Sequence, residues 1–201
     1  LVSDSIEFIN TLNAVVAVSW AQIFNPQIST IGMTFDENSY VKLPSEAYVV
    51  NGNVTMRALP YRLQTTGDKF ITVPAGSKLI LPAGSRVLNE TGSKVFQVEG
   101  ALQASETTFR FKANSENASF IRFAEHGTGF FTQCDFFGGG DTYNQDGNIL
   151  HLSGDSNVQV NGCSFTSDDF AGAYKLLNIG IRIKDNAQAR FESYAGQPCS
   201  F

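Results

Sequence analysis

Short triplets in which two apolar residues flank a third recur along the chain: Ile71-Thr72-Val73, Phe96-Gln97-Val98, Ile121-Arg122-Phe123, Leu150-His151-Leu152 and Ile181-Arg182-Ile183. From Ile71 through Phe96, Ile121 and Leu150 to Ile181 the numbering advances by 25, 25, 29 and 31. A period of this size marks one coil of a stacked architecture, in which no unit buries its apolar face until a neighbour lies on it. A second set follows the first. From Phe109-Arg110-Phe111 to Cys134-Asp135-Phe136 the step is 25, and from there to Cys163-Ser164-Phe165 it is 29. Two strands per coil therefore advance together.

Alternation sends the outer residues of each triplet to one face and the middle residue to the other. Ile71, Phe96, Ile121, Leu150 and Ile181 are expected to stack inside, as are Val73, Val98, Phe123, Leu152 and Ile183, with Phe111, Phe136 and Phe165 in a further internal ladder. Coils of this length hold three short strands and their turns, so the pattern predicts an all-β right-handed parallel β-helix over 70–201. The insertions at Gly138-Gly139-Gly140-Asp141 through Asp146-Gly147 and at Ser167-Asp168 through Lys175 both follow the second strand and should project from one edge.

Residues 1–69 lack the period and read as an N-terminal cap with the first strands, continuous with the coils. Asp4 and Glu7 have capping-box spacing and, with Ile6, Ile9, Val15 and Val16, predict a short helix. The run from Ile28 to Met56 reads as strands with turns at Asp36-Glu37-Asn38 and Asn51-Gly52-Asn53. A cap is needed because a bare apolar coil end promotes aggregation. At the other end only Gly196-Gln197-Pro198-Cys199-Ser200-Phe201 is left to cover the last coil.

Phe70-Ile71-Thr72-Val73-Pro74-Ala75-Gly76 and Lys78-Leu79-Ile80-Leu81-Pro82-Ala83-Gly84 place a Pro-Ala-Gly turn after each of two strands. With Val95-Phe96-Gln97-Val98-Glu99-Gly100-Ala101-Leu102-Gln103-Ala104, these segments resemble the β-helix repeats of large secreted bacterial and archaeal surface proteins. The resemblance covers about residues 70 to 195. It implies a fold superfamily and transfers no catalytic residues.

Composition agrees with this class. Charged residues make up 16% of the chain, below the ~25% of ordinary soluble chains, and 18 Gly and 17 Phe accompany many Ser, Thr and Asn. A net charge of -5 with scattered Lys and Arg argues against nucleic acid and anionic membrane surfaces. The apolar stretch from Ala14 to Phe24 is too short to span a bilayer. A chain that begins at Leu1 rather than Met was either cut from a precursor or taken from a longer chain; a removed signal peptide would fit, and with it an extracellular or cell-surface location. Asn53-Val54-Thr55, Asn89-Glu90-Thr91 and Asn117-Ala118-Ser119 are acceptor sequons, making Asn53, Asn89 and Asn117 glycosylation candidates.

The candidate chemistry lies in the middle residues. Thr72, Gln97, Arg122, His151 and Arg182 should form an outward column about 4.8 Å per step. Such a stripe could bind the carboxylates or sulfates of a polysaccharide, with Arg forming bidentate bonds and His accepting a proton. Gln97, Arg122, His151 and Arg182 are thus the candidate ligand-binding set. Arg122, His151 and Arg182 would be the catalytic set of a lyase or hydrolase. The plainer reading is a row of solvated outward positions.

Asp135, Asp141, Asp146, Asp155, Asp168 and Asp169 give no pair on one face and read as turn or surface residues. The oxygen-rich loop 140–148 lacks calcium-loop spacing, and His126 reads as a turn residue. Cys134 and Cys163 occupy equivalent positions, close enough for a disulfide or for simple packing. No metal or cofactor is expected. The favoured function is a non-catalytic structural or adhesive surface protein that self-associates through coil ends or side faces into a filament or layer. Polysaccharide lysis, hydrolysis or binding along the column is the alternative.

Overall fold

The structure, a computed structural model, describes residues 6–17, 19–25, 30, 32–63, 71–89, 95–111, 121–138, 148–166 and 180–201. The chain opens with β1 (Ile6–Phe8), β2 (Val15–Val16), a five-residue helix α1 (Trp20–Phe24) and β3 (Met33–Phe35). Strand triples then repeat. The first is β4 (Val41–Lys42), β5 (Tyr48–Val49) and β6 (Asn53–Thr55); the second is β7 (Pro60–Leu63), β8 (Ile71–Val73) and β9 (Lys78–Leu81). Next come β10 (Arg86–Asn89), β11 (Phe96–Val98) and β12 (Ala101–Ser105), followed by β13 (Thr108–Phe111), β14 (Ile121–Phe123) and β15 (Thr128–Thr132). The last two triples are β16 (Asp135–Gly138), β17 (Leu150–Leu152) and β18 (Asn157–Asn161), then β19 (Ser164–Thr166), β20 (Ile181–Ile183) and β21 (Gln188–Glu192).

Each strand of a triple pairs in parallel with its counterpart one coil away. Three sheets result: β2-β4-β7-β10-β13-β16-β19, β5-β8-β11-β14-β17-β20 and β6-β9-β12-β15-β18-β21. The protein is an all-β parallel β-solenoid.

Tight turns make the corners. Ser77 N–H donates to Pro74 O at 3.0 Å and Ser85 N–H to Pro82 O at 3.1 Å, closing the two Pro-Ala-Gly turns. Gly76 and Gly84 sit at φ +79 and +81, the left-handed region that the third position of a type II turn demands.

Between the sheets the inward residues form ladders, as alternation predicts. Ile71, Phe96, Ile121 and Leu150 are in register and buried, as are Val73, Val98, Phe123 and Leu152. A phenylalanine stack runs through the first sheet: Phe109 on Phe136 at 4.9 Å, Phe136 on Phe165 at 4.6 Å and Phe165 on Phe201 at 5.1 Å, with rings within 6° of parallel. Gly129 also faces inward, where a Cβ would meet the Phe123 ring at 2.7 Å and Val158 at 3.0 Å.

The expected register of this stack is corrected by two positions: Phe109, not Phe111, pairs with Phe136, while Phe111 lies opposite Gly138. A shift of two preserves the inward face, so alternation cannot detect it. The numbering in this sheet accordingly advances by 27, from Phe109 to Phe136, rather than by 25. Coil length varies because each corner varies independently, and the two strand sets do not move in lockstep.

The N-terminal region also differs from expectation. Glu7 lies in β1, which pairs in parallel with β3, and the Phe8 ring stacks on Phe35 at 4.8 Å. Val15 and Val16 form β2, so tertiary strand pairing overrides the helix-like spacing. The helix lies further on, where Trp20 and Ile23 are buried. Asp4 is outside the described residues.

Coils also begin before residue 70. Val41-Lys42 pairs with Tyr61-Arg62, and Tyr48-Val49 with Ile71-Thr72. The period is hidden there for two reasons. Tyr48-Val49-Val50 is apolar throughout, and the numbering advances by only 20 from Val41 to its partner Tyr61.

The two ends are unlike. At the N-terminal end Trp20 and Phe24 each stack on Tyr48 at 4.9 Å, and Trp20 Nε1–H donates to Glu46 O. Arg62 donates to Asn13 Oδ1 at 2.7 Å, and Arg86 donates to Asp36 O, tying the preceding segment onto the coils. In the last coil of the described residues the inward ladder positions are less covered: Ile183 is 48% exposed, Phe191 40% and Phe201 76%.

Phe136→Ala should destabilise the protein by about 3–5 kcal/mol through an unfilled cavity, and Gly129→Val by about 1–3 kcal/mol through overpacking. Phe130→Ala, on the exposed face, should stay within about 0.5 kcal/mol of wild type. Urea denaturation monitored by circular dichroism checks all three.

Candidate functional site

The second sheet carries the polar column in the register that the triplets predict. Thr72 pairs with Gln97, Gln97 with Arg122, Arg122 with His151, and His151 with Arg182. Parallel pairing spaces successive members about 4.8 Å apart. The column is more enclosed than an outward row on a free sheet: Thr72, Gln97, Arg122 and Arg182 are half-buried, and His151 is 6% exposed. The Nε of Arg122 is buried and has no hydrogen-bond partner among the described residues.

In sequence, the longest connections precede the strands of this column. Connections from the first sheet to the second grow from residues 90–95 to 112–120, 139–149 and 167–180, the last three entering the strands of Arg122, His151 and Arg182. Connections from the second sheet to the third, such as 124–127 and 153–156, stay at four residues or fewer. The expected insertions, between β16 and β17 and between β19 and β20, lie outside the described residues apart from Gly138.

A second column, mixed in polarity, escaped the sequence reading. On the first sheet Lys42, Arg62, Leu88, Arg110, Phe137 and Thr166 are in register. Arg62 and Leu88 are buried although they alternate with the core positions. The available signal was Leu88 and Phe137, large apolar residues where a solvated strand would hold polar ones.

The carboxylates do not converge. Asp135 is exposed on the first sheet and accepts from Ser164 Oγ. Asp155 sits in a turn with His126 Nδ1 at 3.7 Å and Asn186 Nδ2 at 3.1 Å, and His126 is a turn residue, 80% exposed in its side chain. Asp141, Asp146, Asp168, Asp169 and the loop 140–147 lie outside the described residues. Among the described residues no group of three or more His, Cys, Asp or Glu could hold a metal ion. No described helix is long and apolar enough to cross a membrane. An apolar cavity of about 220 Å³ lies at the N-terminal end, lined by Val15, Ala17, Ile23, Val41, Leu59 and Tyr61 among others.

Cys134 and Cys163 are equivalent, as expected, but carry free thiols in this structure and pack as small buried side chains. Cys134 N–H donates to Cys163 Sγ at 3.3 Å. The Cys163 contact, then burial, pushes the Cys134 thiol far above its ordinary pKa. Among the sequons, Asn53 is exposed on β6 and Asn117 is outside the described residues. Asn89 is wholly buried in β10, and the coil interior has no room for a glycan on that side chain.

Comparison with family models, with curated proteins and with solved structures gives no match. The fold thus defines the class, a parallel β-solenoid, and a half-buried basic column defines its most distinctive surface.

His126→Ala should shift stability by less than about 0.5 kcal/mol, as expected for an exposed pair. His151→Ala, at a buried site, should cost about 1–3 kcal/mol. Equilibrium denaturation of the two variants separates the two environments.

Proposed function

We propose that this chain is a non-catalytic structural protein, a rigid β-solenoid that acts outside the cell through self-association and adhesion. The exposed ladder residues of the last described coil carry this reading. Ile183, Phe191 and Phe201 occupy core-ladder positions yet remain exposed, and β20 and β21 are the outermost strands of their sheets among the described residues. A second copy offers apolar ladder residues and strand edges that could meet them. The N-terminal end is already covered by α1, so a contact through the open ends closes as a symmetric pair. Growth into a filament or layer needs a second contact, through the side faces.

Analytical ultracentrifugation over rising concentration tests the contact. Dimerisation with a Kd in roughly the micromolar range is expected for so small a face, and Ile183→Glu or Phe191→Glu should abolish it. A wild-type chain that stays monomeric at every concentration overturns the proposal.

A second reading, binding of an acidic polysaccharide, rests on the register of Gln97, Arg122, His151 and Arg182. A polymer on this face meets Arg122 and Arg182 before the more buried His151, which favours binding over proton abstraction. Retention of the chain on immobilised polygalacturonate should fall at least tenfold in an Arg122→Ala/Arg182→Ala variant, by analogy with about 1.5–3 kcal/mol for charge-assisted bonds. Unsaturated products that appear with wild type and vanish with His151→Ala would instead establish a lyase.

A further inference from the structure

Cysteine spacing alone pairs Cys134 with Cys163 and leaves Cys199 apart. The structure adds Cys199 to the same column. Ser164 bridges in parallel to Ser200, Ser200 N–H donates to Cys163 O at 3.0 Å, and Phe165 N–H donates to Ser200 O at 2.9 Å. Residues 199–201 therefore add a rung against β19, placing Cys134, Cys163 and Cys199 on three successive coils.

Their poses match. Cys134 Sγ lies 3.5 Å from both Ala104 O, one coil back, and Thr132 O, two residues back. Cys199 Sγ lies 3.4 Å from Val160 O, one coil back, and from Glu192 O, the in-register counterpart of Thr132 two coils on. The chain reaches this pose from Glu192 in seven residues where Cys134 takes two, through a turn closed by reciprocal Tyr194–Gln197 backbone bonds at 2.9 Å. In-register residues on parallel strands have Cα atoms about 4.8 Å apart, inside the range for a disulfide. Two rungs, about 9.6 Å, lie outside it.

We propose that Cys163 and Cys199 form an oxidative cross-linking site that fastens the terminal rung to the penultimate coil, with Cys134 held in reserve beneath. Access sets the order. Cys199 is half-exposed, whereas Cys163 and Cys134 are buried. A low-molecular-weight disulfide, R–S–S–R, therefore meets Cys199 first. The Cys199 thiolate attacks one sulfur and R–S⁻ leaves, giving a mixed disulfide. The Cys163 thiolate then attacks Cys199 Sγ and expels the second R–S⁻. The S–S bond of the reagent is reduced, the Cys163–Cys199 bond is formed, and the two thiol protons end on two R–SH molecules. Cys134 is too far from Cys199 to resolve the mixed disulfide.

Incubating the folded chain with oxidised glutathione, then measuring intact mass, free thiols and digest fragments, tests the site. The expected product has lost two hydrogens, keeps one free thiol at Cys134 and yields a Cys163–Cys199 linked peptide. Cys134→Ser should oxidise as wild type, whereas Cys163→Ser should stop at a glutathione adduct on Cys199. Amide exchange in β19 and the terminal rung should slow about tenfold on oxidation, because the cross-link closes a long loop. Three persistent thiols, a stable adduct in the wild type, or a Cys134–Cys163 bond would overturn the proposal.

Discussion

Every coil of this protein is held by the same constraint: its strands must lie in register on the coil before, so that parallel backbone hydrogen bonds and side-chain ladders form together. Neither works alone. A three-residue strand such as β8 or β11 buries too little surface to be stable, and the bonds between strands would be exchanged for bonds to water unless the face behind them were dry. Stacking Phe96 on Ile71 and Val98 on Val73 supplies that dry face. The phenylalanine stack from Phe109 to Phe201 does the same for the first sheet, with parallel rings at close to the strand spacing.

Tolerance follows from the same constraint. Because only register is fixed, the chain between registered strands can lengthen, provided the extra residues leave the stack at a corner. The turns between the second and third sheets stay short and carry residues with positive φ, among them Glu125, Gly154 and Asp185. The longest connections in sequence join the first sheet to the second, ahead of the strands of Arg122, His151 and Arg182. A stack also has ends. Trp20 and Ile23 of α1 are buried at the N-terminal end, while the last described coil keeps ladder residues exposed. Exposed ladder positions motivate the proposed self-association, and the thiol column puts the proposed cross-link in the same rungs.

The sequence by itself determined the solenoid and the column. Apolar-x-apolar triplets with a regular period leave one economical arrangement, and alternation decides which residues face inward, so the pairing of Gln97, Arg122, His151 and Arg182 was legible without coordinates. Four things were decided only by the tertiary structure. The register of Phe109 on Phe136 differs from the nearest sequence match by two positions, a shift that conserves every inward and outward assignment. The strands β1 and β2 form where helix-like spacing stood, because Phe35 and Val41 offer partners that no local pattern contains. The third cysteine joins its column through a seven-residue detour, and the burial of His151, Leu88 and Asn89 depends on what lies across the fold. Periodicity reports which face a residue takes; it carries no information on what covers that face or on which distant segment completes the next rung.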